Sequence, residues 1–215
     1  MLDALDAYRL AKHLRERGES IEGVDDVLSC YAEPVLVEGY PIFRVKTEGD
    51  DASCVFLKDG KCGVYAARPQ VCRLYPFTVA PGSRGKDFQY LLCTERSHHF
   101  GSGSVTVKDW MSENYQKEAR DFNRAQNKWL PRIAQSLRTL GDAGLHRVLF
   151  QTLYYLYYGY DLDKQFLPQY ERNMEELEKH LLKEAANESN KADCKGDIHD
   201  RKEEAASGDH NRGMR

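Results

Sequence analysis

The sequence predicts an α+β protein, with a small antiparallel hairpin-based cysteine-cluster domain, an α-helical C-terminal region and a disordered tail. Short alternating segments punctuated by Gly and Pro fill the first half of the chain, which is typical of hairpins. Apolar residues at helical spacing follow, and large apolar residues almost vanish near the C-terminus. We therefore expect a cysteine-cluster domain over 1–105, a helical extension packing on it over 106–185, and a disordered polar tail over 186–215.

Composition excludes several classes of protein. The 215 residues are 41% hydrophobic and 30% charged, with a formal net charge of −3, so neither a nucleic-acid surface nor a membrane partner is expected. No apolar run approaches the length of a membrane span. The first residues are acidic and lack the basic and apolar regions of a signal peptide, so we expect a cytoplasmic protein. A protein partner is left open.

The N-terminal part begins with a predicted helix over residues 5–17. Apolar residues recur there at helical spacing, and Gly18 provides a stop. A second short helix is predicted over 21–30, and a strand over 42–46 follows Gly39 and Pro41.

Two hairpins follow. Asp59-Gly60 lies between apolar runs that begin at Cys54 and Cys62, and this dipeptide favours a tight turn. The sequence predicts that the two cysteines lie at the open ends of this hairpin. One helical turn is expected over 66–72, with Pro69 at its first position, and a second hairpin over 77–92.

The C-terminal half is predicted to be helical. Thr106 is expected to cap a long helix reaching about Lys128, and Pro131 is expected to restart a helix that ends at residue 140. Further helices are predicted over 145–158 and 163–184. Beyond residue 186 the chain has too few apolar residues to offset its ordering entropy.

The main candidate site is a set of four thiols, Cys54, Cys62, Cys72 and Cys93, separated by seven, nine and twenty residues. These gaps lack the two-residue knuckle of zinc ribbons, so spacing alone is a weak signal. Their positions at the ends of predicted elements nevertheless allow the thiols to converge. In a reducing compartment, clustered cysteines indicate metal or redox chemistry. Two solitary cysteines, Cys30 and Cys194, are interpreted as small buried hydrophobes.

Four thiolates carry more negative charge than Zn²⁺ or an oxidised four-iron cluster can neutralise. Arg68 and Arg73 are therefore predicted to support the site from its second shell. Lys61 fits this role and a plain surface role equally well. His98 and His99 could replace a thiol, but a complete set of four cysteines makes them the second choice.

The run CVFLKDGKCGVYAARPQVCRLYPF over residues 54–77 resembles the YkgJ-type cysteine-cluster family. The helix LDAYRLAKHL over 5–14 is similar to the leading helix of that family, and Cys93 matches its last cysteine. The resemblance covers about residues 4–125 and implies a zinc- or iron-chelating domain. It also implies a further cysteine cluster just ahead of the leading helix, where this sequence begins. Whether the four cysteines are a whole site or part of a larger one is therefore left open.

The flagellin lysine N-methylases resemble the same cysteine run, which gives an alternative: an iron–sulfur-dependent enzyme that modifies proteins. Against it, the sequence has neither a Gly-rich nucleotide loop nor a Cys-x3-Cys-x2-Cys radical motif. We therefore expect a metal-binding cysteine-cluster protein without assigned catalysis. Zn²⁺ and an iron–sulfur cluster are equally compatible with it.

The aromatic run YYLYYGY over residues 154–160 could be a stacking platform for nucleic acid. The net negative charge and the absence of a basic stripe argue against that function. We expect some of these tyrosines to pack inside the protein and others to stay exposed.

Overall fold

The computed structural model describes residues 1–37, 40–83, 87–94 and 103–207, and side chains as far as residue 189 except those of residues 37 and 40. In these ranges antiparallel hairpins lie in the N-terminal part and helices follow, which confirms the predicted fold class. The helices are α1 (Ala4–Glu16), α2 (Val24–Tyr31), α3 (Gln70–Leu74), α4 (Val107–Asn114), α5 (Lys117–Arg138), α6 (Asp142–Leu153) and α7 (Phe166–Ser207). The strands are β1 (Ala32–Val37), β2 (Tyr40–Val45), β3 (Thr47–Glu48), β4 (Ser53–Cys54), β5 (Leu57–Lys58), β6 (Lys61–Cys62), β7 (Phe77–Pro81) and β8 (Phe88–Leu92).

The predicted leading helix is present as α1. Asp3 caps it by accepting a hydrogen bond from the backbone N–H of Asp6 at 2.8 Å. The helix ends before Gly18, whose φ of +84° suits glycine. Its apolar face is almost completely buried, so α1 belongs to the core.

Among the described residues the strands pair as four antiparallel hairpins, β1–β2, β3–β4, β5–β6 and β7–β8. The turn between β5 and β6 has positive φ at both Asp59 and Gly60, as the sequence predicts. The predicted position of Cys54 in this hairpin is wrong: Cys54 pairs with Thr47, whereas Cys62 pairs with Leu57. The reason is that the chain turns between β4 and β5, so the hairpin is shorter than the apolar pattern indicates.

The segment between the second and third thiols contains two short helical pieces. A 3-10 turn spans Tyr65–Ala67, and α3 begins after Pro69, one residue later than predicted. Pro69 has a φ of −53° and sits at the N-cap position. The fixed φ of proline is compatible with this entry into a helix.

The predicted long helix over 106–128 is two helices. Thr106 caps α4 as expected, accepting from the N–H of Asp109, but the chain breaks at Tyr115 before α5 begins. Tyr115 is buried, and its hydroxyl accepts a hydrogen bond from Asn123 at 2.8 Å. The expected restart at Pro131 is wrong, since Pro131 lies inside α5 at an exposed position. Proline has no N–H, so the carbonyl one turn before Pro131 loses its hydrogen bond within the helix. Because the helix is exposed there, this carbonyl can bond to water instead, which lowers the cost of the proline.

The C-terminal helices also differ from their predicted limits. Helix α6 starts at Asp142 and includes Gly144, where a Cβ would come within 2.5 Å of the Glu188 carboxylate. Helix α7 begins near the expected position but continues past the predicted end at 184, to Ser207. Glu188 binds Arg147 at 2.7 Å, which joins α7 to α6 beyond that limit. The tail predicted to be disordered lies mostly outside the described side chains.

An aromatic cluster joins the leading helix to the C-terminal helices. Phe166 packs against Tyr8 of α1, Phe122 of α5 and Tyr160, with ring centroids 4.9–5.3 Å apart. The Tyr8 hydroxyl also donates to the carbonyl of Lys164 at 2.6 Å. The hydrophobic core is therefore shared between the two parts of the chain, and the predicted boundary at 105/106 stays a prediction.

The aromatic run forms a single π-helical turn, Tyr154–Tyr158. Tyr160 is buried and Tyr157 packs edge-on against Phe43 of β2 at 4.9 Å, whereas Tyr154 is exposed. This mixture of packed and exposed rings agrees with the expectation for the run.

Candidate metal centre

The helix that carries Cys72 is only five residues long and is fixed at both ends by side chains from other helices. The Asp6 carboxylate of α1 accepts from the backbone N–H of Gln70 at 2.8 Å. The indole N–H of Trp110 in α4 donates to the carbonyl of Leu74 at 2.9 Å. Because the terminal N–H and C=O groups of a helix lack partners within it, these two contacts stabilise α3 and fix the position of Cys72.

Cys62 lies at the end of β6 and is partly buried. The next residue, Gly63, closes the hairpin by donating its N–H to the carbonyl of Phe56 at 2.7 Å. The Gly63 carbonyl accepts from the guanidinium of Arg17, just after α1. Cys54 is exposed at the end of β4. The backbone N–H of the next residue, Val55, donates to the backbone carbonyl of Lys46 at 3.1 Å.

Three of the four predicted ligands interact electrostatically. Cys72 is exposed as a residue, but partial burial of its thiol raises the pKa, and the neighbouring Cys54, Asp6 and Cys62 raise it further. The thiols at the ends of β4 and β6 therefore lie near enough to α3 to act on the charge of Cys72. Without a cation between them, their mutual repulsion disfavours the thiolate of Cys72.

Cys93 enters from the β7–β8 hairpin. It directly follows β8, is partly buried, and donates its backbone N–H to the carbonyl of Pro76 at 2.8 Å. Pro76 lies two residues after α3, so Cys93 is attached to the same segment that follows Cys72. In the described part of the chain, no contact links the Cys93 sulfur to the other three thiols.

The donor set suits Zn²⁺ or an iron–sulfur cluster in its chemistry, since both bind four thiolates. Within the described residues, however, no three Cys, His, Asp or Glu side chains lie close enough to hold a metal ion. Binding would thus require the sulfur atoms to approach one another. His98 and His99, the alternative ligands, lie outside the described residues.

Two arginines are predicted to support the site: Arg68 lies between Cys62 and Cys72, and Arg73 lies in α3. Arg68 stacks on the Tyr65 ring at 4.1 Å and donates to Asn114 at 3.3 Å. Arg73 donates to the Ala66 carbonyl at 2.9 Å, so it ties α3 to the preceding 3-10 turn. These contacts hold the chain around Cys72. No described contact links either guanidinium to a sulfur atom.

Arg73 is also part of a cationic group. Burial lowers its pKa, and the positive charges of Arg9 and Arg68 lower it further. Its Nε is buried and has no hydrogen-bond partner among the described residues. Three guanidinium groups thus act on one another beside α3, and the negative charge of Asp6 partly offsets their repulsion.

The interpretation of Cys30 as a buried hydrophobe is wrong, because Cys30 is exposed at the end of α2. Its sulfur lies 4.0 Å from the Ser29 hydroxyl. The short helix leaves its polar face in solvent there. Cys194 lies beyond the described side chains.

Sequence analysis missed Asp6, which is 3% exposed and contacts the start of α3. One sequence signal could have identified it. Asp6 stands between Leu5 and Ala7 in a helix whose apolar face is buried, and a carboxylate in such a place needs a polar partner. Which backbone N–H provides that partner could not be read from the sequence.

Residues 11–102 match the family model CxxCxxCC, described as "Putative zinc- or iron-chelating domain". This match confirms the resemblance to the YkgJ-type family for that part of the chain. Neither the curated proteins nor the solved structures include a significant match.

In the part of the chain that the structure describes, no helix is both long enough and apolar enough to cross a bilayer.

Proposed function

We propose that this protein binds a metal through Cys54, Cys62, Cys72 and Cys93, as Zn²⁺ or an iron–sulfur cluster. The observation that carries the proposal is the effect of Cys54 and Cys62, which come from separate elements, on the pKa of the Cys72 thiol. All four cysteines also lie within the matched residues 11–102. Cys54 and Cys72 are exposed, so packing in the core does not account for the nearness of these thiols. A metal ion removes the repulsion between them and ties the elements to one another.

Cys93 is proposed as the fourth ligand because its backbone is bonded to Pro76, close to the end of α3. Arg68 and Arg73 serve the site by fixing the chain around Cys72 and by adding positive charge. Four thiolates would close the coordination sphere of Zn²⁺, which is typical of structural rather than catalytic zinc. The same four thiolates would suit a cluster equally well.

Anaerobic purification with metal analysis and an absorption spectrum tests the proposal and identifies the metal. A brown protein that contains iron and sulfide has a cluster, and a colourless protein with one zinc has a zinc site. Single Cys→Ser variants at 54, 62, 72 and 93 are expected to lose most of the metal, because three thiolates leave an open, labile site.

Cys30→Ser is the matched control, since Cys30 also forms no disulfide but lies in α2, outside the proposed ligand set. It should retain full metal content. Unchanged metal in Cys72→Ser, or an equal loss in Cys30→Ser, would contradict the proposed ligands.

The alternative, an iron–sulfur-dependent enzyme that modifies proteins, rests on the sequence resemblance alone. No observation on the described residues favours it specifically. It stays a prediction that depends first on finding iron.

A further inference from the structure

A cavity of about 500 Å³ lies beside α3, and its described lining contains no cysteine. Its walls come from the start of α1, from β2, α3, β7, α5 and α7, so it lies where the hairpins meet the helices. Its size is in the range of small-molecule sites in proteins. Most of its lining is apolar; Leu2, Ile42, Val71, Leu74, Leu130 and Leu156 contribute to it.

Two acidic side chains interrupt this apolar lining. Asp3 and Asp6 both line the cavity, and burial raises the pKa of each, to about 6 for Asp3 and well above the usual range for Asp6. The positive charges of Arg9 and of the Met1 amino group lower the pKa of Asp3, but by less than burial raises it. Arg9 instead forms its ion pair with Glu118 at 2.6 Å. Among the described residues, neither aspartate has a salt-bridge partner.

Two neutral polar groups in the same lining also lack partners. Tyr170 is 1% exposed, and its hydroxyl has no hydrogen bond among the described residues. The side-chain oxygen of Gln70 is likewise buried without a partner there. A buried polar atom without a partner costs about 1–3 kcal/mol, so a hydrogen-bond donor that reaches either atom from the cavity would be stabilised there.

We propose that this cavity binds an organic ammonium ion, a primary amine with an apolar body, held by Asp3, Asp6, Gln70 and Tyr170. The polar groups of the cavity are mainly acceptors, and an ammonium group supplies three donors and the missing positive charge. The carbon chain of the amine contacts the apolar wall. Tyr157 and Phe77 also line the cavity, and aromatic rings can attract a cation over their faces.

An ammonium group of this kind is available from a free alkylamine or from a lysine side chain of a peptide. Both share the chemistry that the cavity recognises, and the experiment separates them. Hexylamine is the free-amine probe, and Nα-acetyl-lysine methylamide represents the peptide side chain. Hexan-1-ol and hexanoate are matched probes that keep the carbon chain but lack the positive charge.

Binding to the full chain as purified is measured by calorimetry at pH 8, where Asp3 is ionised. Hexylamine or the lysine compound is expected to bind at least about tenfold more tightly than hexan-1-ol, and hexanoate to bind more weakly still. The tighter of the two amines identifies the source. If neither amine binds more tightly than hexan-1-ol, the proposal fails.

Two variants test the assigned groups. Asp3→Asn removes the charge but keeps the helix cap, because Asn caps helices as well as Asp does, and it should weaken the preferred amine about tenfold. Tyr170→Phe removes an unpartnered hydroxyl, so it should weaken binding without lowering the melting temperature.

Asp163→Asn is the control, because Asp163 is exposed, carries the same charge, and pairs with Arg15 away from the cavity. Its affinity should match that of the unaltered protein. Equal losses in Asp3→Asn and Asp163→Asn would show that only the net charge matters and would overturn the proposal.

Discussion

Asp6 links three features of this protein through one carboxylate. It fixes the first N–H of α3, it lines the cavity, and its charge raises the pKa of the Cys72 thiol. Because the group is buried, burial and the nearby charge of Asp3 raise its own pKa strongly. At the start of α1, burial and the repulsion between Asp3 and Asp6 therefore disfavour the ionised forms of these two side chains.

At Asp3 this effect gives stability a measurable pH dependence. Burial raises its pKa from 3.8 to about 6 in the folded protein, so the folded state holds this proton more tightly than the unfolded chain does. The resulting stabilisation is complete below pH 3.8 and is lost as pH rises through 6. Asn cannot titrate, so Asp3→Asn should gain stability relative to the unaltered protein between pH 4 and 7.5, on the order of 1 kcal/mol after allowance for partial exposure.

Urea denaturation at the two pH values measures this difference. Asp51→Asn is a suitable control, because the Ser53 hydroxyl lowers the pKa of exposed Asp51 below its usual value. Asp51 is therefore mostly ionised in the folded and unfolded states throughout this pH range, and its substitution should change the pH dependence of stability much less than Asp3→Asn does. A stability difference between Asp3→Asn and the unaltered protein that does not change with pH would contradict the assignment.

At the scale of elements, α3 and the short hairpins depend on contacts made by other parts of the chain. β3–β4 and β5–β6 pair only two residues per strand, and isolated short hairpins are marginal in water. Leu57 and Tyr65 are exposed, so burial adds little there. In the proposed function, a metal would supply the stability that packing does not.

Local chemistry explains which elements the sequence predicts well. The Asp59-Gly60 turn, the stop at Gly18 and the Thr106 cap each depend on one or two residues, and all three are present. The pairing of Cys54 with Thr47 depends on a turn that the apolar pattern does not reveal. The position of Pro131 inside α5 depends on its exposure after folding.

The candidate site was predictable only in part, for the same reason. Thiol chemistry predicted the set of four, which stays a prediction, and Cys54 and Cys62 lie near enough to Cys72 to raise the pKa of its thiol. The positions of Asp6 and Trp110 around α3 arise from tertiary packing. They could not be read from local sequence.

Hydrogen exchange should separate the elements that depend on metal from those that do not. If metal ties the thiols together, its removal should raise amide exchange at least about tenfold between residues 54 and 93. Residues 5–14 of α1 and 166–181 of α7 should change little, because their apolar faces are buried in the shared core. Equal protection of the hairpins in the metal-free and metal-loaded protein would show that the cysteines are ordinary thiols.

At the scale of the whole molecule, one core spans the chain. Tyr8 of α1 and Phe122 of α5 both contact Phe166 of α7, so the leading helix is packed into the C-terminal helices. The hairpins lie on this core, and the cavity occupies the junction. A change at the thiols can therefore reach the cavity through α3, which borders it with Gln70 and Leu74.

Burial and ion pairing along α7 predict where this helix stops contributing to stability. Leu181 is completely buried, and Glu184 and Glu188 bind Arg147 of α6 at 2.6 and 2.7 Å. Beyond residue 189 the sequence has almost no large apolar residues. Deletion of residues 190–215 should therefore change the melting temperature by no more than about 1 °C, since changes away from the core cost little.

Truncation after residue 180 is the matched comparison, because it also removes Leu181 and both glutamates. Loss of a fully buried leucine costs about 2–5 kcal/mol, so this shorter chain should melt at least about 5 °C lower. Differential scanning calorimetry on both truncations, together with metal analysis, measures the contrast. A large drop in melting temperature on deleting 190–215 alone would contradict this prediction. It would mean that the tail docks on the rest of the protein through apolar or charged contacts.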